Sequence, residues 1–241
     1  MNKIKNVAEE YGRLYVKQYL TEALTQKDEI YTDWCKGLKF FFSKSFNRGR
    51  RDILSKKFRE RAIRTLDKFG IWMRLNQQSL NQQLLEEALK ENGVNNEVDR
   101  KMVVKTLDFI SKLPSWYENN IVRYTVEEIK KGNIKAVYEK LDNIYGIGDK
   151  LTSFYLRDVV ILYGLEKSLT KNDLKYCQPI DTWVKQVAYK LGIIKSTKDK
   201  ITLIKDAIID RCLEVEVSPL LFNAGAWLIG ARSLDLLIDK L

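Results

Sequence analysis

The chain has 241 residues, 45% of them hydrophobic, which suits one large globular domain or two small ones and excludes a disordered chain. It contains no histidine, which removes Ser-His-Asp and Cys-His hydrolysis and every histidine-ligated metal, and its three cysteines (Cys35, Cys177, Cys212) are too few and too scattered for a disulfide framework or a four-cysteine zinc or iron–sulfur site. The formal net charge of +10 points to a polyanionic partner; of the reactive groups left, a lysine amine is the natural nucleophile.

The opening stretch, MNKIKNVAEEYGRLY, lacks an apolar leader core, and no apolar run reaches the roughly 18 residues of a membrane helix. A cytoplasmic protein, nucleoid-associated in a prokaryote, is expected. Apolar residues recur at helical spacing almost throughout, and strand-like alternation is scarce, so the fold class is all-α. Helices are predicted over 3–24, 31–44, 51–69, 78–91, 97–112, 115–131, 134–143, 149–163, 181–191, 198–213 and 217–238, with Gly70, Gly93, Gly132, Gly164 and Gly192 at helix ends. The run Phe40, Phe41, Phe42 reads as packing. Residues 44–68 hold ten Lys/Arg against three Asp/Glu, a balance that suits either DNA or a solvated helix face.

The most distinctive stretch is 134–163, IKAVYEKLDNIYGIGDKLTSFYLRDVVILY. Ile134, Val137, Tyr138, Leu141 and Ile144 share one helical face, and Leu151, Phe154, Tyr155, Val159 and Leu162 share another. Between them lies a tight turn, Gly146-Ile147-Gly148, followed by Asp149 and Lys150. The glycines allow unusual dihedrals and a close backbone approach, and Ile147 can plug the gap between the helices. Amides from about Gly148 onward open the second helix and favour a phosphate oxygen, a grip on a DNA backbone that reads no sequence. An ordinary αα-hairpin with a glycine turn is the bland alternative.

Further along comes Gln178-Pro179-Ile180-Asp181-Thr182-Trp183-Val184, and Asp181, thirty-one residues beyond Lys150, stands where a helix N-cap belongs. A capping carboxylate is both oriented and favoured as an anion by the amides around it. The five tryptophans, Trp34, Trp72, Trp116, Trp183 and Trp227, are read as core by default. Trp183, beside Asp181, and Trp227 are the candidates to stack on an extruded base. Asn223 and Arg232 are placed at most on a site rim.

The hairpin GIGDK, the segment PIDTWV and the small-residue tail SPLLFNAGAWLIGAR (218–232) together resemble the helix-hairpin-helix DNA glycosylase superfamily, over about 134–232. The resemblance implies two helical subdomains within a single 1–241 unit, one over about 53–165 ending in the 134–163 hairpin and one from 1–52 plus 166–241, with the active site in the cleft between them. It implies that Lys150 matches the nucleophile of members that are both glycosylase and lyase, and Asp181 the catalytic carboxylate. It implies DNA-backbone contacts from Gly146, Ile147, Gly148 and Asp149, and a monovalent cation held by the backbone carbonyls of Asp142, Ile144 and Ile147. No cofactor is required, and the cysteine count points to the branches without an iron–sulfur cluster, which include the 8-oxoguanine enzymes. The spacing from Lys150 to Asp181 exceeds the family's usual one, so 164–178 reads as an inserted segment.

On this reading the partner is double-stranded DNA carrying a damaged base or abasic site, met by a monomer without a membrane. A flipped nucleotide would lose its base to attack by the Lys150 amine, with Asp181 stabilising the positive charge on the sugar. Two other functions fit the same residues: a DNA-binding module with no chemistry, and a glycosylase in which Lys150 only contacts phosphate.

Overall fold

The computed structural model describes residues 3–49, 52–71 and 81–238, with the backbone alone at 52 and 233–238. Among the described residues every regular element is helical, so the all-α expectation holds. Trp72 and the predicted start of a helix at 78 lie outside the described residues. In chain order the helices are α1 (3–25), α2 (Lys27–Thr32), α3 (Trp34–Ser45), α4 (Asp52–Lys68), α5 (Gln82–Glu91), α6 (Glu97–Ser111), α7 (Ile121–Lys130), α8 (Ile134–Asp142), α9 (Asp149–Tyr163), α10 (Thr182–Lys190), α11 (Ile201–Glu214) and α12 (Pro219–Ile238). Short 3-10 turns occupy Ser115–Tyr117, Glu166–Ser168 and Asp173–Cys177. The five glycines expected at helix ends all have positive φ.

Two predicted helices are each divided in the structure, in both cases by a side chain that caps its own backbone. Asp33 is extended and takes the amides of Cys35 and Lys36, which ends α2 and starts α3 inside the predicted 31–44 helix. Asn120 does the same for Val122 and Arg123, so the predicted 115–131 helix is a 3-10 turn followed by α7. Hydrophobic periodicity runs through both breaks: Ile30 and Leu38 are buried on either side of Asp33, and Tyr117 and Ile121 on either side of Asn120.

Two compact units make up the chain, one of Met1–Thr25 with Leu156–Leu241, the other of Gln26–Tyr155. In the first, Ile4, Val7 and Ala8 of α1 share a core with Val184 and Val187 of α10, Ile204 and Ile208 of α11, and Phe222, Ala226 and Ile229 of α12. The small residues of the tail have a steric cause. A Cβ on Gly225 would stand 2.2 Å from the Val7 carbonyl oxygen, and one on Gly12 2.4 Å from that of Leu221, so α1 and α12 cross backbone against backbone. α1 contains π-type turns at Val7–Gly12 and Val16–Leu20, the first of them at this crossing.

The second unit buries Phe40, Phe41 and Phe42, as their run suggested, with Phe41 edge-on to Tyr155 at 4.9 Å between ring centroids. Asn120 is fully buried there and uses both ends of its amide. Its oxygen caps α7, and its nitrogen donates to the carbonyls of Ile30 and Tyr31, each at 3.0 Å. Gly37 leaves room for it, since a Cβ there would sit 2.4 Å from the Asn120 oxygen.

Candidate functional site

Residues 134–163 form two helices joined by the predicted glycine turn. Ile134, Val137 and Leu141 of α8 are buried, as are Ile144, Ile147 and Leu151 through the turn and into α9. Ile147 is buried, as its position between two glycines suggested, and its amide closes the turn onto the Ile144 carbonyl at 2.9 Å. Gly146 has φ +79, and a Cβ on it would meet Arg48 and Val98 at 2.8 Å. Gly148 is the opposite case: it is exposed, and a Cβ there would have nothing within 4 Å.

Lys150 stands half-buried on the first turn of α9. The Gly148 carbonyl accepts from Leu151 and Thr152, whereas no backbone acceptor among the described residues takes the amides of Gly148 and Lys150. A helix of this length, opening on unclaimed amides beside an exposed glycine, can receive an anionic oxygen. The Asp149 side chain is engaged within the protein: it accepts from the Tyr138 hydroxyl at 2.7 Å and from the Ser153 hydroxyl at 3.3 Å.

The carbonyls of Asp142, Ile144 and Ile147 lie along this turn. That of Ile144 already takes the Ile147 amide and keeps its second lone pair, and that of Ile147 accepts no backbone hydrogen bond from the described residues. Neutral carbonyl oxygens suit a hard cation of low charge, so the donor set fits the cation that the resemblance implies. Among the described residues no group of three or more His, Cys, Asp or Glu is placed to hold a metal ion.

The basic run 44–68 divides into two kinds of charge. Arg48 pairs with the buried carboxylate of Asp99 at 2.9 Å and lies under Gly146, Lys44 is buried over the rings of Phe40 and Phe154, and Arg61 donates to the Gly93 carbonyl at 2.7 Å. These three cations support the fold. Lys56, Lys57, Arg64 and Lys68 are exposed on α4 and can meet a polyanion. Sequence reasoning missed Arg48 and Asp99 as the support of the turn, because their pairing spans 51 residues with no local pattern.

The first unit holds Asp181, Trp183 and Trp227. Asp181 is half-buried and extended, and its Oδ1 takes the Val184 amide at 3.0 Å, which makes it the N-cap expected of it. Its Oδ2 has no hydrogen-bond partner among the described residues. Trp183 is 40% exposed, with its Cβ packed on the Gly230 backbone, because Val184, Val187 and Ala188 claim the inner face of α10. Trp227 is half-buried and meets Tyr15 and Tyr19 edge-on at 5.9 and 5.5 Å. Trp34 is half-buried and Trp116 exposed, whereas Trp227 packs against the core of the first unit, as the type does by default.

Asn223 is fully buried and so is not on a rim; Arg232 is exposed and donates to Gln18. Asn223 accepts from Arg157 at 2.9 Å and donates to the Pro179 carbonyl at 3.0 Å. Arg157 is itself buried, bound twice to Asp158 Oδ1 and once to the Tyr15 hydroxyl, and Tyr15 donates to Asp158 Oδ2 at 2.8 Å. This network was invisible to sequence reasoning; a lone RD pair on an apolar helix face was its one local sign. Residues 164–178 carry the two 3-10 turns that lead to Gln178, whose side chain is fully buried.

The structure therefore assembles the turn residues and Lys150 in one unit, and Asp181, Trp183 and Trp227 in the other. Among the described residues no single helix is long and apolar enough to cross a membrane.

No family model matches the chain. A Saccharomyces cerevisiae protein described as E3 ubiquitin-protein ligase RMD5 is 23% identical over 189 residues, 70% of this chain and 45% of that protein. A Methanocaldococcus jannaschii protein described as uncharacterized protein MJECL21 is 38% identical over 72 residues, 30% of this chain and 16% of that one. The chain thus spans less than half the length of either relative, and no solved structure matches it.

Proposed function

We propose that this chain is a DNA repair glycosylase with AP-lyase activity, of the helix-hairpin-helix superfamily without an iron–sulfur cluster, acting as a monomer on duplex DNA that carries a damaged, oxidised base or an abasic site. The observation that carries the reading is the setting of Lys150, on the first turn of α9 directly after a glycine turn whose Gly148 and Lys150 amides are not taken up by the backbone. Such a turn suits a DNA phosphate, and the lysine beside it brings an amine to the same strand.

The finer architecture belongs to the proposal: 134–163 as a helix-hairpin-helix, and two helical subdomains whose cleft admits the flipped nucleotide. The lone pair of the Lys150 amine attacks the anomeric carbon, and the base departs with the bonding pair and a proton. Opening of the sugar ring leaves an imine between Lys150 and the former anomeric carbon. Loss of a proton from the adjacent carbon then expels the 3′ phosphate by β-elimination, and water releases the lysine. The Asp181 carboxylate stabilises the positive charge on the sugar as the glycosidic bond breaks. Trp183 and Trp227 offer ring faces and edges to the extruded base. A monovalent cation on the Asp142, Ile144 and Ile147 carbonyls would supply a fixed positive charge for the phosphate that the turn holds.

The test is borohydride reduction with an abasic-site duplex, alongside a panel of single-lesion duplexes scored separately for base release and strand nicking. A covalent complex formed by the natural chain and lost in Lys150→Gln supports the reading, and full trapping by that variant overturns the role of Lys150. Base release without nicking identifies a monofunctional glycosylase. Salt-sensitive binding with neither product identifies a DNA-binding module.

A further inference from the structure

The Asp181 backbone is held from a distance by a buried charge. Arg157 is 2% exposed and Asp158, Tyr15 and Asn223 no more than that, so an ion pair has been taken fully out of water. Removing such charges from solvent is costly, and a well-packed apolar group often serves stability as well, so the network is weakly explained by stability alone. Its geometry specifies direction. Arg157 Nη1 donates to Asn223 Oδ1, which leaves only one orientation for the Asn223 amide and turns Nδ2 toward the Pro179 carbonyl, where it donates at 3.0 Å. Pro179 lies two residues before Asp181, with only the buried Ile180 between. The Pro179 carbonyl, the Ile180 side chain and the Asp181–Val184 cap bond together fix where the free Oδ2 of Asp181 points.

We propose that Asn223, oriented by Arg157, is a positioning residue for the Asp181 carboxylate. The claim that this positioning serves catalysis rests on the glycosylase reading; the claim that Asn223 places Asp181 does not. Asn223→Ala removes the bond to Pro179, and Asn223→Asp keeps the shape and the oxygen facing Arg157 while replacing the donor by an acceptor. Either variant that folds serves.

Two measurements are made on the full chain. The first is hydrogen exchange at the Val184 amide, which reports the cap bond whatever the activity. Both variants should exchange there about tenfold faster, the effect of a weakened cap, while core amides of α11 exchange as in the natural chain. Unchanged exchange at Val184, or an equal increase in α11, overturns the proposal. The second is single-turnover base release from a lesion duplex. Asn223→Ala should be slower by about a hundredfold, as for a misplaced catalytic group, with DNA affinity unchanged. Adding it to Asp181→Asn should cause no further loss, because the two act as one unit. Losses that multiply in the double variant overturn the catalytic half of the claim. A natural chain that releases no base from any duplex overturns the glycosylase reading, and the Val184 exchange still decides the positioning.

Discussion

The Tyr138 hydroxyl donates to Oδ1 of Asp149 at 2.7 Å, joining α8 to the first residue of α9 across the glycine turn. Asp149 stands at the positive end of α9, so the bond lands on a carboxylate that the helix already favours there. Tyr138→Phe deletes only the hydroxyl. It should cost about 1 kcal/mol in urea unfolding and weaken binding to a duplex. Unfolding at the natural midpoint would show that the bond does not brace the turn.

The two glycines of the turn should fail in different ways. Gly146→Ala places a Cβ at positive φ against Arg48 and Val98, and should cost about 2 kcal/mol or more from strain and contact together. Gly148→Ala meets open space and should leave the unfolding midpoint unchanged. It should nevertheless lower duplex affinity about tenfold, since a methyl group on the exposed face keeps a phosphate from the amides. Equal affinities for Gly148→Ala and the natural chain would remove the turn from the proposed DNA interface.

Asn120→Ala takes away a cap and the two amide hydrogen bonds to the carbonyls of Ile30 and Tyr31. The expected loss is about 3 kcal/mol in thermal or urea unfolding. Gly37→Ala should be comparably harmful by pressing on the same amide. Because both variants strike one interaction, their combination should cost clearly less than the sum of the two.

Glu128 supplies a pH dependence. Burial pushes its carboxyl upward, but hydrogen bonds from Lys131, Tyr117 and Asn133 outweigh it and hold the group at about 2. A folded value below the ordinary 4.5 means that its contribution is complete above that value and fades as pH falls toward 2. Glu128→Gln should therefore destabilise by about 1 kcal/mol at neutral pH, after solvent screening of the lysine pair. The gap should close in unfolding curves taken near pH 2. A gap that persists there would assign the loss to packing.

Local features of the site were legible and partnerships were not. The glycine turn, the burial of Ile147, the Asp181 cap and the glycine helix ends each follow from a few adjacent residues, because caps and positive φ are short-range requirements. Asp33 and Asn120 were missed as caps because the apolar spacing continues across them and hides the break. The basic run shows the same limit: composition counts charges, and only contacts show that Arg48, Lys44 and Arg61 are engaged within the protein.

The sequence by itself determined an all-helical chain, a glycine turn ending in Lys150 and an aspartate at the start of α10, since helix periodicity and capping act within a few residues. Only the tertiary structure decided what holds them. Arg48 reaches Asp99 beneath Gly146, and Arg157 and Asn223 reach Pro179 ahead of Asp181, through bonds spanning 44 to 66 residues. Burial makes such bonds obligatory, because a charge or amide withdrawn from water must find its partner wherever the chain brings one.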